Sequence, residues 1–207
     1  MTVKILQLED SPIGKGKERS CFLHTEDDTK VIKINHTLTI HQSKREARYY
    51  QQLNKRKIVN FSSIPRYYGK VETNFGTGHV YDCIKDHTGK ISQSMSGYFK
   101  EGMPLKEFSP YLDELKTYFI DNRIIFNDDV CAGNILFQKI SPHTQRLVVI
   151  DGLGDTVLIP FLNYLPSHVI SKINRRWERF IKNLYEDYNY TLDIEKTAKG
   201  DGTGTQH

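Results

Sequence analysis

The chain changes character about halfway along, and this change limits the folds open to it. The first half has short runs rich in valine, isoleucine and tyrosine between turn residues, which is typical of β-strands. One helix is predicted among them, from about residue 42 to residue 57, with Ala47, Tyr50 and Leu53 on one face. The second half has amphipathic helices with short strands between them. This order predicts an α+β fold of two lobes.

The other predicted elements follow from the same patterns of hydrophobic residues. The predicted strands are residues 30–34, 66–73, 79–84, 124–126, 134–137 and 147–150. Further helices are predicted at residues 112–122 and 170–185. In the hairpin turn at 74–78, we expect Gly76 and Gly78 to supply positive φ angles. The expected division is a β-rich N-terminal lobe at residues 1–84, a mainly helical lobe at 85–190 and a flexible tail at 191–207.

Composition and charge exclude several classes of protein. With 38% hydrophobic and 26% charged residues among 207, the chain is globular rather than disordered. A net charge of +4 is too small for a dedicated nucleic-acid-binding protein. We expect no membrane span and no secretory signal, because no apolar run is long enough for either. The three cysteines are far apart and odd in number, which argues against disulfides or a zinc site and favours a cytoplasmic protein.

The first candidate site is the glycine turn around Gly14 and Gly16. Paired glycines beside a strand let the backbone approach a phosphate closely, and the flanking lysines favour an anion. The alternative is an ordinary solvated turn. The Walker pattern is absent, and Arg19 replaces the third glycine of the dinucleotide fingerprint, so neither of those two nucleotide sites is expected.

A second candidate is Lys33, which lies between apolar β-branched residues of a predicted strand. Such a lysine can point into a cleft, where it needs an anionic partner. Glu46 on the following helix could hold the amine between itself and the phosphates of a nucleotide. The alternative is that Lys33 faces solvent and that Glu46 pairs with Arg45 or Arg48.

Three further polar residues follow or precede apolar strands in the second half. Asp129 comes five residues before Asn134 in a loop between two predicted strands. A carboxylate there can accept the proton of a hydroxyl, and the asparagine can ligate Mg²⁺ through its carbonyl oxygen. Asp151 ends an apolar strand and precedes a glycine, which places a carboxylate where an ion can be bound. The alternatives are an Asx-rich hairpin loop and an ordinary turn carboxylate.

The order of these features is that of the protein-kinase-like fold: glycine turn, strand lysine, helix glutamate, hairpin, helix, Asp-x-x-x-x-Asn, then strand-Asp-Gly. From about residue 8 to residue 181, the chain also resembles the bacterial PhoP-regulatory-network YrbL family, a compact kinase-like group. Besides the kinase motifs, four segments carry this resemblance: residues 45–50, 64–73, 76–82 and 121–124. The resemblance implies a two-lobed kinase-like fold with a reduced C-terminal lobe and a nucleotide cleft, and a link to envelope-stress regulation.

The resemblance also implies which residues bind ATP. Gly14 and Gly16 would lie over the phosphates, and Lys33 would contact the α- and β-phosphates while paired with Glu46. The adenine would contact the hinge, which consists of Asp82, Cys83, Ile84 and Lys85.

The resemblance gives Asp129 the role of catalytic base, and it makes Asn134 and Asp151 the Mg²⁺ ligands. Several positions depart from the kinase pattern. Arg19 occupies the position of the third loop glycine. Asn127 occupies the position of the usual histidine in the catalytic loop, residues 127–134. Residues 151–153 read Asp-Gly-Leu instead of Asp-Phe-Gly, the usual loop lysine is absent from 130–133, and no Ala-Pro-Glu follows.

Two functions remain open from the sequence. The first is an ATP- and Mg²⁺-dependent phosphotransferase acting on a small hydroxyl compound or on one specific protein. The second is a pseudokinase, a nucleotide-binding regulatory module without catalysis. A nucleic-acid site on the last helix is disfavoured, because its cations fit the solvated face of an amphipathic helix. These cations are Lys172, Arg175, Arg176 and Arg179.

Overall fold

The N-terminal lobe is a six-stranded sheet with one helix. The structure is a computed structural model that describes residues 4–16, 18–36, 41–57, 60–128, 130–154 and 165–200. The strands are β1 (Ile5–Leu6), β2 (Gly14–Lys15), β3 (Arg19–Leu23), β4 (Lys30–Asn35), β5 (Tyr67–Thr73) and β6 (Gly76–Asp82). They lie in the order β1-β5-β6-β4-β3-β2, and helix α1 (His41–Lys55) follows β4.

The described residues of the C-terminal lobe form three helices and a small sheet. Its strands are β7 (Gln93–Ser94), β8 (Ile135–Ser141) and β9 (Thr144–Val149), in the order β7-β8-β9. Its helices are α2 (Met95–Lys100), α3 (Ser109–Asp121) and α4 (Pro166–Gly200), with 3-10 turns at Leu105–Phe108 and Ala132–Asn134. The two lobes predicted from the sequence are therefore both present.

The two faces of the N-terminal sheet have different neighbours. One face carries a small apolar core of Leu6, Leu8, Phe22, Ile32, Ile34 and Val80. The other face carries Cys21, Lys33 and His79 side by side, because their Cα atoms are opposite one another on β3, β4 and β6. This second face looks towards α1 and the C-terminal lobe. We call it the cleft face.

Helix α1 joins the two lobes through the main hydrophobic core. Its predicted apolar face is buried as expected, with Tyr50 1% and Leu53 0% exposed. The Tyr50 hydroxyl donates to the Pro65 carbonyl at 2.9 Å, and the Ile125 N–H donates to the Tyr49 hydroxyl at 2.6 Å. The same core includes Phe119, Phe126 and Trp177 of the C-terminal lobe. One helix thus fixes the sheet to the segment that leads into the catalytic loop.

Some local expectations differ from the structure. Gly76 has a positive φ of 99°, but Gly78 does not. A Cβ at Gly78 would lie 2.3 Å from Ile32 Cγ2, so this glycine is needed for space rather than for backbone conformation. Residues 124–126 form no strand in the described chain. There, Phe126 alone makes an isolated β-bridge, to Leu153.

Helix α4 extends further than the sequence predicted. It continues to Gly200, beyond residue 191 where a tail was expected. The segment contains several good helix formers and no proline after Pro166, so nothing in its backbone chemistry ends the helix earlier. Across the described residues, no helix has the length and apolar character needed to cross a membrane.

Candidate functional site

The glycine turn closes the hairpin of β2 and β3 at the edge of the sheet. The Gly16 N–H donates to the Arg19 carbonyl at 2.8 Å, and both Gly14 and Gly16 are exposed. Neither glycine has a positive φ, and a Cβ at either position would meet no atom closer than 3.5 Å. The turn itself therefore does not require glycine at these two positions. An exposed backbone without side chains remains open to a ligand.

Lys33 crosses from the sheet to the C-terminal lobe. Its side chain is on the cleft face and is only 7% exposed. The Nζ atom donates to the Ile150 carbonyl at 2.5 Å and lies 4.8 Å from the centre of the Tyr81 ring. The predicted inward orientation of Lys33 is therefore present, and it brings the amine next to the residue before Asp151.

Glu46 is paired with Arg19 and not, as predicted, with Lys33. The Arg19 Nη1 lies 2.6 Å from the Glu46 Oε2, and both side chains are buried, with exposed fractions of 7% and 3%. The other guanidinium nitrogen of Arg19, Nη2, contacts the Asp151 Oδ1. A guanidinium has several donors at fixed directions and can bridge two carboxylates, which a compact ammonium group does less well. This explains why the arginine, and not the lysine, holds the glutamate.

The Asp151 carboxylate is stabilised in its charged form. Burial alone would raise the pKa of Asp151, but the nearby cations Lys33 and Arg19, with hydrogen bonds from Arg19 and the Gly152 N–H, lower it overall. The Gly152 N–H donates to the Asp151 Oδ1 at 2.7 Å. Gly152 has a φ of 84°, and a Cβ there would lie 2.7 Å from Val130 Cγ2. Glycine is therefore required at position 152, because the turn after Asp151 needs this backbone angle and this close approach.

Two backbone hydrogen bonds hold the catalytic loop against the segment around Asp151. The Asn127 N–H donates to the Gly152 carbonyl at 2.7 Å, and the Ile150 N–H donates to the Asn134 carbonyl at 2.9 Å. The backbone of Asn134, the predicted metal ligand, therefore lies next to Ile150, the residue before Asp151. Asp129, the predicted catalytic base, lies outside the described residues.

The hinge connects the end of β6 to the C-terminal lobe. The Cys83 N–H donates to the Thr29 carbonyl at 2.8 Å, the Ile84 carbonyl accepts from Ser92, and the Gln138 side chain donates to the Lys85 carbonyl at 2.7 Å. Within the described chain, the Cys83 carbonyl and the Lys85 N–H have no hydrogen-bond partner. They are two residues apart, the spacing at which extended backbone directs its groups to the same side. An acceptor and a donor are thus available for one planar ligand.

The Asp82 side chain in the hinge has a structural role. Its two carboxylate oxygens accept hydrogen bonds from the Arg66 N–H and the Tyr68 hydroxyl, each at 2.7 Å. The Lys85 ammonium lies 2.6 Å from Asp28, a contact at the surface. The charged hinge side chains of Asp82 and Lys85 are therefore used by the protein, while two backbone groups of the hinge are available to a ligand.

The cations of α4 do not form the uniformly solvated face that the sequence predicted. Arg175 and Arg179 are exposed, but Lys172 and Arg176 are buried, at 5% and 6% exposure. The Arg176 Nη1 donates to the Phe126 carbonyl at 2.6 Å, and Arg179 pairs with Asp128 at 2.9 Å. A buried carbonyl needs a donor, and α4 supplies it. Helix α4 therefore supports the start of the catalytic loop.

Two functional contacts were missed by reasoning from the sequence. Arg19 was read as a lost glycine, although a cation next to a glycine turn is a signal that it could face the same cleft as Lys33. Arg176 is predicted on the solvated face, as a cation at helical spacing opposite Trp177 and Phe180, but the structure buries it. Among the residues that the structure describes, no group of three or more His, Cys, Asp or Glu side chains is placed to bind a metal ion.

The fold is that of the protein-kinase-like proteins. The chain is similar to the solved structure of Rad53 1–466 in complex with AMP-PNP, with a TM-score of 0.53 and 16% identity. The match covers 81% of this chain and 45% of that one, so the chain spans less than half the length of that solved structure. At this identity the likeness concerns the fold alone.

The sequence comparisons define the family. The profile described as "PhoP regulatory network protein YrbL" matches residues 5–185. The chain is 37% identical over 183 residues to the YrbL proteins of Escherichia coli strain K12 and Shigella flexneri, which covers 84% of this chain and 84% of each relative. The chain belongs to the PhoP regulatory network protein YrbL family, which confirms the resemblance seen in the sequence.

The buried histidine of the cleft face predicts an acid-sensitive fold. Burial, with the cations Lys70, Arg19 and Lys33, lowers the pKa of His79 from 6.5 to about 4. Between pH 6.5 and about pH 4, His79 therefore binds a proton in the unfolded chain but not in the folded chain. The contribution of neutral His79 to the free energy of unfolding is complete above pH 6.5, and its loss should lower that free energy by about 1–2 kcal/mol between pH 7 and pH 5.

Urea unfolding of wild type and His79→Gln at both pH values checks this. His79→Gln should show a smaller loss, whereas the exposed His143→Gln should keep the wild-type loss. An identical pH dependence in all three proteins would contradict the assignment to His79.

A second prediction concerns the support of the catalytic loop by α4. Arg176→Met should lower the free energy of unfolding by about 1–3 kcal/mol, because it leaves the buried Phe126 carbonyl without this donor. The neighbouring Arg175→Met removes an exposed arginine from the same helix and should change stability by less than about 0.5 kcal/mol. Urea titrations followed by circular dichroism measure both. Equal effects of the two substitutions would show that Arg176 has no such role.

Proposed function

We propose that this protein binds ATP with Mg²⁺ in the cleft between its lobes and transfers the γ-phosphoryl group to an acceptor hydroxyl. The observation that carries the proposal is that Lys33 and Glu46 both reach the segment of Asp151, Lys33 directly and Glu46 through Arg19. Lys33 reaches the carbonyl of Ile150, 117 residues away in the chain, and Arg19 connects Glu46 with Asp151. In a kinase-like fold, these positions hold the phosphates and the metal.

Adenine binding is supported by the backbone of the hinge. The Cys83 carbonyl can accept from an exocyclic amine, and the Lys85 N–H can donate to a ring nitrogen. Cys21 on the cleft face is partly buried, which offers apolar surface to a planar base. The exposed backbone of Gly14 and Gly16 would then lie towards the phosphates, and Lys33 would contact the α- and β-phosphates.

The residues around Asp151 fit Mg²⁺ as a cofactor. Mg²⁺ prefers oxygen ligands and takes part of its shell from phosphates, which suits a site with one carboxylate and one amide. Asp151 offers its Oδ2, which has no hydrogen-bond partner among the described residues. The Asn134 backbone lies close by, since its carbonyl accepts from the Ile150 N–H. Bound Mg²⁺ would neutralise charge on the transferred phosphoryl group.

In this mechanism, the chain supplies positioning and one proton acceptor. The acceptor hydroxyl gives its proton to the Asp129 carboxylate while its oxygen forms a bond to the γ-phosphorus. The bond from the γ-phosphorus to the bridging oxygen breaks, and ADP leaves. Lys33 would stay on the non-transferred phosphates, and Asn134 and Asp151 would be the residues that hold Mg²⁺. Asp129 is assigned to this step from the sequence motif.

A second candidate function is a nucleotide-binding regulatory module without catalysis. The observation in its favour is that Arg19 holds both Glu46 and Asp151, while Lys33 contacts a backbone carbonyl. The asparagine at position 127, where kinases have histidine, also favours a function without catalysis. Such a module would bind nucleotide but transfer no phosphate. A direct assay of transfer separates the two functions.

The acceptor is proposed to be a small hydroxyl compound, such as an envelope sugar, or one specific docked protein. About forty residues separate Asp151 from residue 190, and they contain no Ala-Pro-Glu sequence. Protein kinases use this region for an activation segment and for the helices that bind an extended peptide. The description of the family names the PhoP regulatory network, and a role of the protein in envelope-stress regulation is part of this proposal.

Nucleotide binding is tested by thermal unfolding. ATP with Mg²⁺ at about ten times Kd should raise the Tm by about 3–6 °C, because the ligand binds only the folded state. Lys33→Met should remove this shift. Lys30→Met is the matched control, since Lys30 lies on the same strand but pairs at the surface with Asp27, and its shift should equal that of wild type. An unchanged wild-type Tm would contradict the nucleotide site.

Transfer is tested with γ-labelled ATP against sugars, lipopolysaccharide cores and generic peptides. Label should pass to a small hydroxyl compound or a specific protein, and generic peptides should be poor acceptors. Asp129→Asn is the blank, because it should keep nucleotide binding and lose transfer. Strong labelling of generic peptides that disappears in the blank would overturn the acceptor proposal. Full turnover by Asp129→Asn would overturn the assignment of the base.

A further inference from the structure

Arg19 occupies the centre of the candidate site. It follows the glycine turn at the start of β3, and its side chain is 7% exposed. Its two terminal nitrogens contact two different carboxylates, those of Glu46 on α1 and Asp151 after β9. Burial would lower the pKa of Arg19, but the two carboxylates raise it, so the side chain is a permanent cation.

The four charged groups of the cleft are not paired as the proposed reaction requires. Two cations, Arg19 and Lys33, face two carboxylates, and Arg19 contacts both of these. Lys33 binds a neutral carbonyl, while the Glu46 Oε1 is buried without a hydrogen-bond partner in the described chain. A buried carboxylate oxygen without a partner is unfavourable. Lys33 is therefore a cation, and the Glu46 Oε1 an acceptor, that could form a different pair.

We propose that Arg19 competes with Mg²⁺ for Asp151 and so sets the metal concentration at which the protein binds nucleotide. The inference rests on the proposed function, because it concerns the same carboxylate. A guanidinium and a divalent ion both require the negative charge of Asp151, and a nearby fixed cation weakens the attraction for a second one. Release of Arg19 from Asp151 is the step that metal binding must drive.

The arrangement allows this exchange at moderate cost. When Arg19 leaves Asp151, it keeps its pair with Glu46, so no buried charge is left without a partner. The Asp151 side chain is 26% exposed, whereas Glu46 is 3% exposed. Solvent and a metal ion can therefore reach the Asp151 end of the bridge more easily than the Glu46 end. Arg19 is accordingly a positioning residue with one fixed and one exchangeable contact.

The experiment titrates Mg²⁺ at a fixed concentration of a fluorescent ATP analogue. Arg19→Gln removes the charge but can still donate a hydrogen bond to Glu46, and it should lower the half-maximal Mg²⁺ concentration about tenfold. Arg19→Lys keeps the charge but bridges two carboxylates less well, so it should lie between wild type and Arg19→Gln. Arg56→Gln is the control, because Arg56 contacts only the Asn122 and Arg123 carbonyls in the described chain.

A second measurement does not need nucleotide. Binding of Mn²⁺ alone, followed by electron paramagnetic resonance, should be tighter in Arg19→Gln than in wild type and should be lost in Arg19→Gln/Asp151→Asn. Circular dichroism verifies that each variant is folded. If Arg19→Gln does not fold, Arg19→Lys provides the comparison in both measurements.

The outcomes separate this inference from the proposed function. If wild type binds nucleotide and the folded Arg19 variants need as much metal or more, the role of Arg19 is overturned. The proposed nucleotide site is not. Tighter Mn²⁺ binding in Arg19→Gln without nucleotide binding in any protein would support the role of Arg19 and overturn the nucleotide site. Binding of nucleotide only after Arg19 is replaced would support Arg19 as the competing cation. Unchanged Mn²⁺ binding and no nucleotide binding would overturn both.

Discussion

The bridge from Arg19 to Glu46 and Asp151 joins three parts of the chain that have no sequence proximity: the first hairpin, helix α1 and the turn after β9. Removal of charges from water is costly, and a buried pair offsets this cost only when each group has its partner in good geometry. The three elements must therefore keep their relative positions for the charges to remain satisfied. Lys33 adds a parallel connection through the Ile150 carbonyl. These polar contacts and the apolar core both hold the two sides of the cleft together.

The segment around the catalytic loop is held from two sides by side chains that satisfy its backbone. The Tyr49 hydroxyl on α1 accepts the Ile125 N–H, and Arg176 on α4 donates to the Phe126 carbonyl. Buried backbone groups need partners, and here no regular strand supplies them, because Phe126 makes only a single bridge. The loop is thus held from two sides although the lobe is short. A hydrophobic core beneath the loop, with Phe119 and Trp177, completes the support.

Features with a local cause were predicted well from the sequence. The buried face of α1 follows from helical spacing. The inward position of Lys33 is one of two interpretations that its local pattern leaves open, and the structure shows it. The order of motifs along the chain led to the kinase-like fold and the family, both of which the comparisons confirm. The assigned ligand and catalytic roles stay predictions. Only experiments on the cleft can test them.

The order of the elements, the faces that they bury and the family can be predicted from the amino-acid sequence, because periodicity and motif spacing are properties of neighbouring residues. The partners of the charged groups are set by the folded structure. Arg19 is 27 residues from Glu46 and 132 from Asp151, and Arg176 is 50 from Phe126. A local pattern can indicate that such an arginine faces the interior, but it does not identify the partner. A long flexible side chain pairs with whichever group the packed fold brings within reach. Once the side chain is buried, it keeps that partner, because an unpaired charge in the protein interior is strongly unfavourable.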